Sequence, residues 1–236
     1  MKTFIRFIGY PSPQLWLVRV RKEFQPLMKS ILNSTLFEEK PLFISPFANL
    51  FFVAGKKSNN PDLLIKRIQA QKAADYVRRL VFCQGRREFL SSHDMMDMGL
   101  KCPDPIGYAI NLNPFSRLDS LFICGFLPEA VHISQYMLTL SKPDRLMYLK
   151  MVARDISLMF SNNVLHKDLH LKNILLMPSD PANIYWIDND LRKTSRREIM
   201  QRKDAMLRRL MFNIPFCSDK EINFFIEELF SSLNAE

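Results

Sequence analysis

The densest chemistry in the chain lies in His166-Lys167-Asp168-Leu169-His170-Leu171-Lys172-Asn173, followed by Ile187-Asp188-Asn189-Asp190. Asp168 and Asn173 stand 5 residues apart, and Asp188 follows Asn173 by 15. This residue set suits phosphoryl transfer. That reaction needs a carboxylate to orient an attacking hydroxyl and accept its proton, and Asp168 fits that part. It also needs hard oxygen ligands to hold Mg2+ against the phosphates of ATP, and Asn173 and Asp188 supply them. The apolar runs at 173–177 and 184–188 read as a small hairpin. Asn173 at the start of one strand and Asp188 at the end of the next would then turn toward one metal. A zinc site from His166 and His170 is the competing reading. It requires a helix there and a third ligand, whereas the run after Asn173 is strand-like and no H-E-x-x-H exists. His166 reads as a structural residue, bonding backbone near the metal-binding aspartate.

The spacing matches the protein-kinase catalytic loop H-R-D-x-x-x-x-N, with lysine in place of arginine. Asp188 falls where the metal-binding aspartate of D-F-G sits. Asn189 and Asp190 replace its Phe and Gly, a departure shared with small-molecule and sugar kinases of the same superfold. Such an enzyme also needs a lysine on a central strand and a glutamate on a following helix to hold it. Lys66, in Leu63-Leu64-Ile65-Lys66, has the form of the V-A-I-K strand and would meet the ATP phosphates as a point charge. An exposed strand lysine is the plain alternative. Glu88, 22 residues later, is the best ion-pair partner, although Arg86 and Arg87 compete for it. The loop covering the phosphates would be Gly55-Lys56-Lys57-Ser58-Asn59-Asn60. With one glycine its backbone cannot approach phosphate as a multi-glycine loop does. Lys56 or Lys57 would add charge instead, and a plain basic turn is the equal alternative.

These residues need elements to place them. Residues 47–54 and 62–68 read as strands of a hairpin, although Pro61 argues against an ideal central strand start. A helix over 73–98 would carry Glu88 and stop at Gly99. Residues 101–105 read as a loop, and GYAINL and 120–127 as strands. Helices are expected over 142–162 and 195–233, and another over 14–36, kinked or broken by Pro26. The order predicts an α+β chain of two lobes, strand-rich in front and helical behind, with the cleft between them as the natural ligand site. The expected division is an N-terminal helical extension over 1–40, a strand-rich lobe over about 41–126 and a helical lobe over about 127–236.

Composition narrows the partners. The chain has 236 residues, 47% of them hydrophobic and 24% charged, an ordinary globular balance. Only 6 glycines occur, and no G-x-G-x-x-G is present, which excludes a Rossmann fingerprint and glycine-rich repeats. The net charge of +9 favours a polyanion such as nucleic acid, a phosphorylated glycolipid or an anionic membrane surface. Much of that charge lies at 192–209, where Arg192, Lys193, Arg196, Arg197, Arg202, Lys203, Arg208 and Arg209 cluster; a solvated helix face is the plain reading. A nucleic-acid partner is not expected, because no groove-reading motif or stacking platform accompanies the charge. Cys83, Cys102, Cys124 and Cys217 are widely spaced, which disfavours a zinc knuckle or disulfide frame and fits a reducing, cytoplasmic setting. No segment reads as a signal peptide or spanning helix, so peripheral contact is the expected mode at any membrane.

From about Leu63 to Phe230 the chain resembles the lipopolysaccharide kinase family, which phosphorylates Kdo or heptose sugars of the bacterial lipopolysaccharide inner core. The resemblance rests on the catalytic loop, on Arg87-Glu88-Phe89, and on Met98-Gly99-Leu100-Lys101-Cys102-Pro103-Asp104-Pro105, similar to the family's G-[IV]-x-[VT]-P-x-P turn. It extends to Phe122-Ile123-Cys124-Gly125-Phe126-Leu127-Pro128 as the hinge whose backbone, at Gly125, Phe126 and Leu127, would bind adenine. Arg202-Lys203-Asp204 and Leu207 are similar to the family's R-x-x-D-L-x-x-L. The resemblance implies a protein-kinase-like fold with a shortened C-terminal lobe. It also implies ATP and Mg2+ as cofactors and an anionic glycolipid or sugar as acceptor, met at the cytoplasmic face of the inner membrane. No A-P-E follows Asp188, which disfavours a protein substrate. His170-Leu171-Lys172-Asn173 is nearer the D-L-H-P-G-N loop of aminoglycoside and choline phosphotransferases, so another small-molecule acceptor stays open. A nucleotide-binding pseudokinase is the third reading, and the intact Lys66, Asp168, Asn173 and Asp188 argue against it.

Overall fold

A computed structural model describes residues 1–8, 14–33, 40–55, 61–70, 73–113, 116–212 and 219–234. The chain divides into two compact units, Met1–His93 with Pro103–Phe126, and Asp94–Cys102 with Leu127–Glu236.

Unit 1 is built on an antiparallel sheet of β1 (Lys2–Ile8), β2 (Gln14–Val20), β3 (Phe43–Ile44), β4 (Ala48–Val53), β5 (Leu63–Gln69), β6 (Pro105–Asn111) and β7 (Leu118–Gly125). Their order is β1-β2-β6-β7-β5-β4-β3. Side chains alternate across a strand. Trp16, Val18 and Val20 of β2, Leu63 and Ile65 of β5, and Leu121 and Ile123 of β7 therefore share one face. They pack with Met28, Ile31 and Leu32 of α1 (Gln25–Asn33). The intervening Ile68, Phe122 and Cys124 face the other way and meet Cys83 and Phe89. A bulge between Pro105 and Gly107 brings Ile106 to the same side as Ala109, which strict alternation would separate. Each large side chain buried in these layers contributes roughly 1.5–3 kcal/mol.

The N-terminal region departs from expectation. Residues 14–20 form β2, and the helix expected over 14–36 shrinks to α1. The stretch carries both periods, and the strand prevails because β2 finds a partner on each side, β1 and β6. In place of a helical extension, β1 and β2 enlarge the sheet. Pro26 lies in the first turn of α1, where its missing N–H costs nothing. Despite Pro61, β5 is an interior strand between β7 and β4.

Two helices, α2 (Ala73–Phe82) and α3 (Gln84–Asp97), replace the one expected over 73–98. The cause of the break lies on β7. The Asp119 carboxylate accepts from the backbone N–H of Gln84, and Ser120 Oγ accepts from that of Gly85 at 3.1 Å. These are N–H groups that the first turn of a helix cannot satisfy by itself. Arg79 of α2 is buried beside Asp119, with Nε 3.6 Å from Oδ1, and donates to the carbonyls of Asn111, Asn113 and Ser116. Burial raises the Asp119 pKa, a shift that its bond to Ser120 and the charge of Arg79 oppose. Gly85 allows α3 to start this close to the sheet, since a Cβ there would lie 2.6 Å from the Leu121 carbonyl oxygen. At the far end Gly99 adopts φ 80°. Its N–H donates to Met96 O and that of Leu100 to Met95 O, both at 2.9 Å, closing the helix as the sequence predicts.

Unit 2 contains β8 (Val131–His132), α4 (Ile133–Tyr136), α5 (Lys142–Ser161), β9 (Val164–His166), β10 (Ile174–Met177), β11 (Asp180–Trp186), β12 (Leu191–Lys193), α6 (Arg196–Phe212) and α7 (Asp219–Asn234). Ser141 caps α5: its Oγ accepts from Asp144 N–H at 3.5 Å and donates to the Asp144 carboxylate at 2.5 Å. Leu149, Val152 and Ile156 of α5 share one core with Leu176 of β10, Trp186 of β11, and Phe225 and Leu229 of α7. Arg145 of α5 donates to the buried Glu221 of α7 at 3.1 Å. The predicted hairpin forms as β10 and β11, with β8 as its third strand, while β9 pairs with β12. Trp186 Nε1–H donates to the buried Asp155 carboxylate at 2.9 Å, which anchors the end of β11.

Gly85→Ala should therefore lower unfolding stability by about 1–3 kcal/mol through overpacking against β7. Denaturant titration followed by circular dichroism measures it, and an unchanged midpoint would refute the close approach.

Candidate active site

Strand alternation decides where Lys66 goes. It shares the parity of Leu64 and Ile68 on β5, the side of the sheet that carries Phe89 of α3. Lys66 Nζ meets Glu88 Oε2 at 3.0 Å and Oε1 at 3.2 Å, with both side chains largely removed from water. Glu88 thus takes Lys66 as a partner. Arg87 turns aside and donates to Gln84. A pair held this far from water costs desolvation that only close geometry and further hydrogen bonds offset, so its retention points to use rather than to stability.

The other candidates in unit 1 lie at the ends of its strands. Gly55 N–H donates to Asp62 Oδ1 at 2.7 Å, closing the base of the β4–β5 hairpin; Lys56–Asn60 lie outside the described residues. Gly125 ends β7 and donates its N–H to Asp104 O, and Phe126 donates its N–H to Asp62 O, each at 2.9 Å. The Phe126 ring meets Phe52 edge-on at 4.8 Å. Two of the three backbone N–H groups expected at the hinge are thus used inside unit 1. Leu127 is the first residue of the second segment of unit 2.

In unit 2 the loop after β9 is fixed largely by its own polar groups. Asn173 Nδ2 donates to the Asp168 carbonyl at 2.9 Å and to Asp168 Oδ2 at 3.1 Å. Both acceptors are oxygens, so the amide orientation is forced and Oδ1 is the atom that Asn173 can offer a cation. Asn173 N–H donates to His170 O at 2.9 Å, and Asn173 O accepts from Ile187 N–H at 2.9 Å. That second bond ties the loop to the residue before Asp188. Lys172 N–H donates to His170 Nδ1 at 2.9 Å, and His132 Nδ1–H donates to Lys172 O at 2.7 Å. Asp188 adopts φ 54°, a left-handed conformation uncommon for a residue with a Cβ and concentrated at functional sites.

His166 is buried beside Trp186, with ring centroids 5.7 Å apart. Burial pushes its pKa down, against the pull of Asp168 and Asp190, which favours the neutral imidazole. The Asn189 side chain lies near the ring and also opposes that shift, and its Nδ2 donates to Trp186 O at 3.3 Å. His166 and His170 are not on one helix, and among the described residues no three His, Cys, Asp or Glu gather as a metal site, so the zinc alternative fails. Asn173 and Asp188 still fit magnesium. That ion takes hard oxygens, commonly one or two from protein, and completes its shell with phosphates and water.

One pair was missed from sequence. Lys167 Nζ meets Asp190 Oδ1 at 2.8 Å, and Lys167 N–H donates to Asp190 O at 3.0 Å. Lysine for arginine in one motif and aspartate for glycine in the other are therefore partners, and their opposite charges were the available signal. The basic segment is also less free than its composition suggests. Arg192 and Thr194 donate to Glu198, and Arg202 Nε lies 3.0 Å from it, whereas Lys193, Arg196 and Arg197 are exposed. The side chains of Lys203, Arg208 and Arg209 lie outside the described residues.

The solved structure titled "WaaP in complex with acyl carrier protein" superposes with a TM-score of 0.64 at 14% identity, over 91% of this chain and 88% of that one. A rhoptry kinase from Toxoplasma gondii gives a TM-score of 0.45 at 10% identity, over 81% and 51%. No curated protein sequence matches. The likeness to WaaP supports the expected α+β fold, strand-rich first and helical later. The model of the lipopolysaccharide kinase (Kdo/WaaP) family matches residues 49–228, a span that holds Lys66, Glu88, Asp168, Asn173 and Asp188. The chain belongs to the lipopolysaccharide kinase (Kdo/WaaP) family and is a phosphotransferase.

Proposed function

We propose that this kinase transfers the terminal phosphate of ATP, with Mg2+, to a sugar hydroxyl of the lipopolysaccharide inner core, on Kdo or heptose. The observation that carries the reading is the Asp168–Asn173 unit, in which one amide fixes the carboxylate and keeps an oxygen for a cation. Asp168 orients the acceptor hydroxyl and takes its proton as the new phosphate ester forms. Lys66, held by Glu88, binds the α- and β-phosphates. Asn173 and Asp188 hold the magnesium, which when bound neutralises charge on the phosphates. The purine lies against Gly125, Phe126 and Leu127, and the N–H donor falls to Leu127, because the other two N–H groups are engaged.

Arg196 and Arg197 are offered to an anionic acceptor, a charge pattern that favours lipopolysaccharide over a cationic aminoglycoside. Among the described residues no helix is long and apolar enough to cross a membrane. The proposed setting is the cytoplasmic face of the inner membrane, reached peripherally.

Purified chain with ATP and Mg2+ should phosphorylate lipopolysaccharide core acceptors. Asp168→Asn should lose about 10²–10⁴-fold in turnover while still binding nucleotide. Failure of the wild type to bind ATP would defeat the assignment.

Lys66→Ala and Glu88→Ala should each weaken ATP binding in calorimetry. The double variant should be no worse than the worse single, a coupling of about 1–3 kcal/mol. Additive losses would show that Glu88 does not act through Lys66.

Replacing Arg196 and Arg197 together with Ala should raise KM for the core acceptor and leave ATP affinity unchanged. Equal loss toward both substrates would remove the acceptor role from this segment.

A further inference from the structure

We infer that the hairpin of residues 42–50 seats unit 1 on an anionic phospholipid bilayer, with Leu42, Phe43, Ile44 and Phe47 entering the boundary between headgroups and acyl chains. The inference deepens the proposed peripheral setting and rests on a lipid-linked acceptor. Within six consecutive residues the chain exposes Leu42 by 63%, Phe43 by 57%, Ile44 by 65% and Phe47 by 59%. Apolar exposure this concentrated marks an interaction surface.

The geometry selects the partner. β3 is the edge strand of the sheet, and its successive residues Phe43 and Ile44 point to opposite faces, yet both are exposed. A protein surface laid on one face would leave the other residue in water, whereas an acyl layer covers both. Several polar groups of the hairpin are answered internally, which lowers the cost of entering the headgroup boundary. Leu42 N–H donates to Leu50 O at 2.8 Å, Ser45 N–H to Ala48 O at 3.0 Å, and Gln69 N–H to Phe47 O at 3.0 Å. Ser45 Oγ donates to Ala48 O at 2.8 Å and accepts from Ala48 N–H at 2.9 Å. Charge complements the apolar tip. Lys40 is exposed beside it, as is Arg117, whose carbonyl accepts from Ala70 N–H next to Gln69, and the chain carries +9 overall.

Co-sedimentation of the full chain with vesicles of phosphatidylethanolamine and phosphatidylglycerol, against phosphatidylcholine alone, tests this. The wild type should prefer the anionic vesicles. Phe43→Ser with Phe47→Ser should reduce vesicle-bound protein about tenfold or more, with unfolding midpoint and ATP affinity unchanged. Phe7→Ser on β1, equally exposed at the opposite edge of the sheet, should bind as the wild type does. Undiminished binding by the double variant would overturn the inference, and so would an equal loss in Phe7→Ser. Self-association that the double variant abolishes, with vesicle binding intact, would also overturn it by making the hairpin a contact between copies. Binding is read without nucleotide or acceptor. A chain that binds vesicles through the hairpin but transfers no phosphate defeats only the proposed reaction. One that phosphorylates a water-soluble core oligosaccharide yet ignores vesicles defeats only the hairpin.

Discussion

Placing the Lys66 ammonium and the Glu88 carboxylate together inside unit 1 takes two charges out of water, and much of that unit is arranged so that they meet. β5 must be interior and in register for alternation to send Lys66 to the α3 side. α3 must begin afresh at Gln84 for Glu88 to arrive there, and it does so because Asp119 and Ser120 receive its first N–H groups. Gly85 permits the approach, and Arg79 balances the carboxylate that this arrangement buries. Removing either charge of the pair would leave the other uncompensated, and the same pressure keeps both in place.

Unit 2 reaches order by a different route. The loop after β9 has little regular structure, so backbone and side-chain bonds replace a ladder: Asn173 on Asp168, Lys167 on Asp190, His132 and His170 on Lys172. Behind the loop stands the core of α5, and Trp186 joins the two by donating to Asp155 only two residues before Asp188. Burial raises the Asp155 pKa, and the indole N–H opposes that shift. The left-handed backbone at Asp188 is the local cost of reversing direction there, in a residue type that tolerates it.

What the sequence revealed and what it hid follow from the range of the interactions. The spacing of Asp168, Asn173 and Asp188 was legible because loop and hairpin are contiguous. Lys66 and Glu88 were legible as a strand residue and a helix residue, though their contact depends on a helix break that no local signal marks. That break is dictated from β7, 35 residues beyond Gly85. The error over 14–20 has a related origin. QLWLVRV is apolar at both parities, and only its pairing with β1 and β6 decides for strand. The exposure of the hairpin that contains β3 had no signal in the sequence, since burial is a property of neighbours rather than of composition.

The imidazole of His170 has a consequence of its own. Because the Lys172 N–H donates to Nδ1, that nitrogen must carry a lone pair. The ring therefore stands as an acceptor at the head of the short turn over Leu171–Asn173, which leads into the amide that grips Asp168. One imidazole tautomer thus sets the backbone course that brings the Asn173 amide to Asp168.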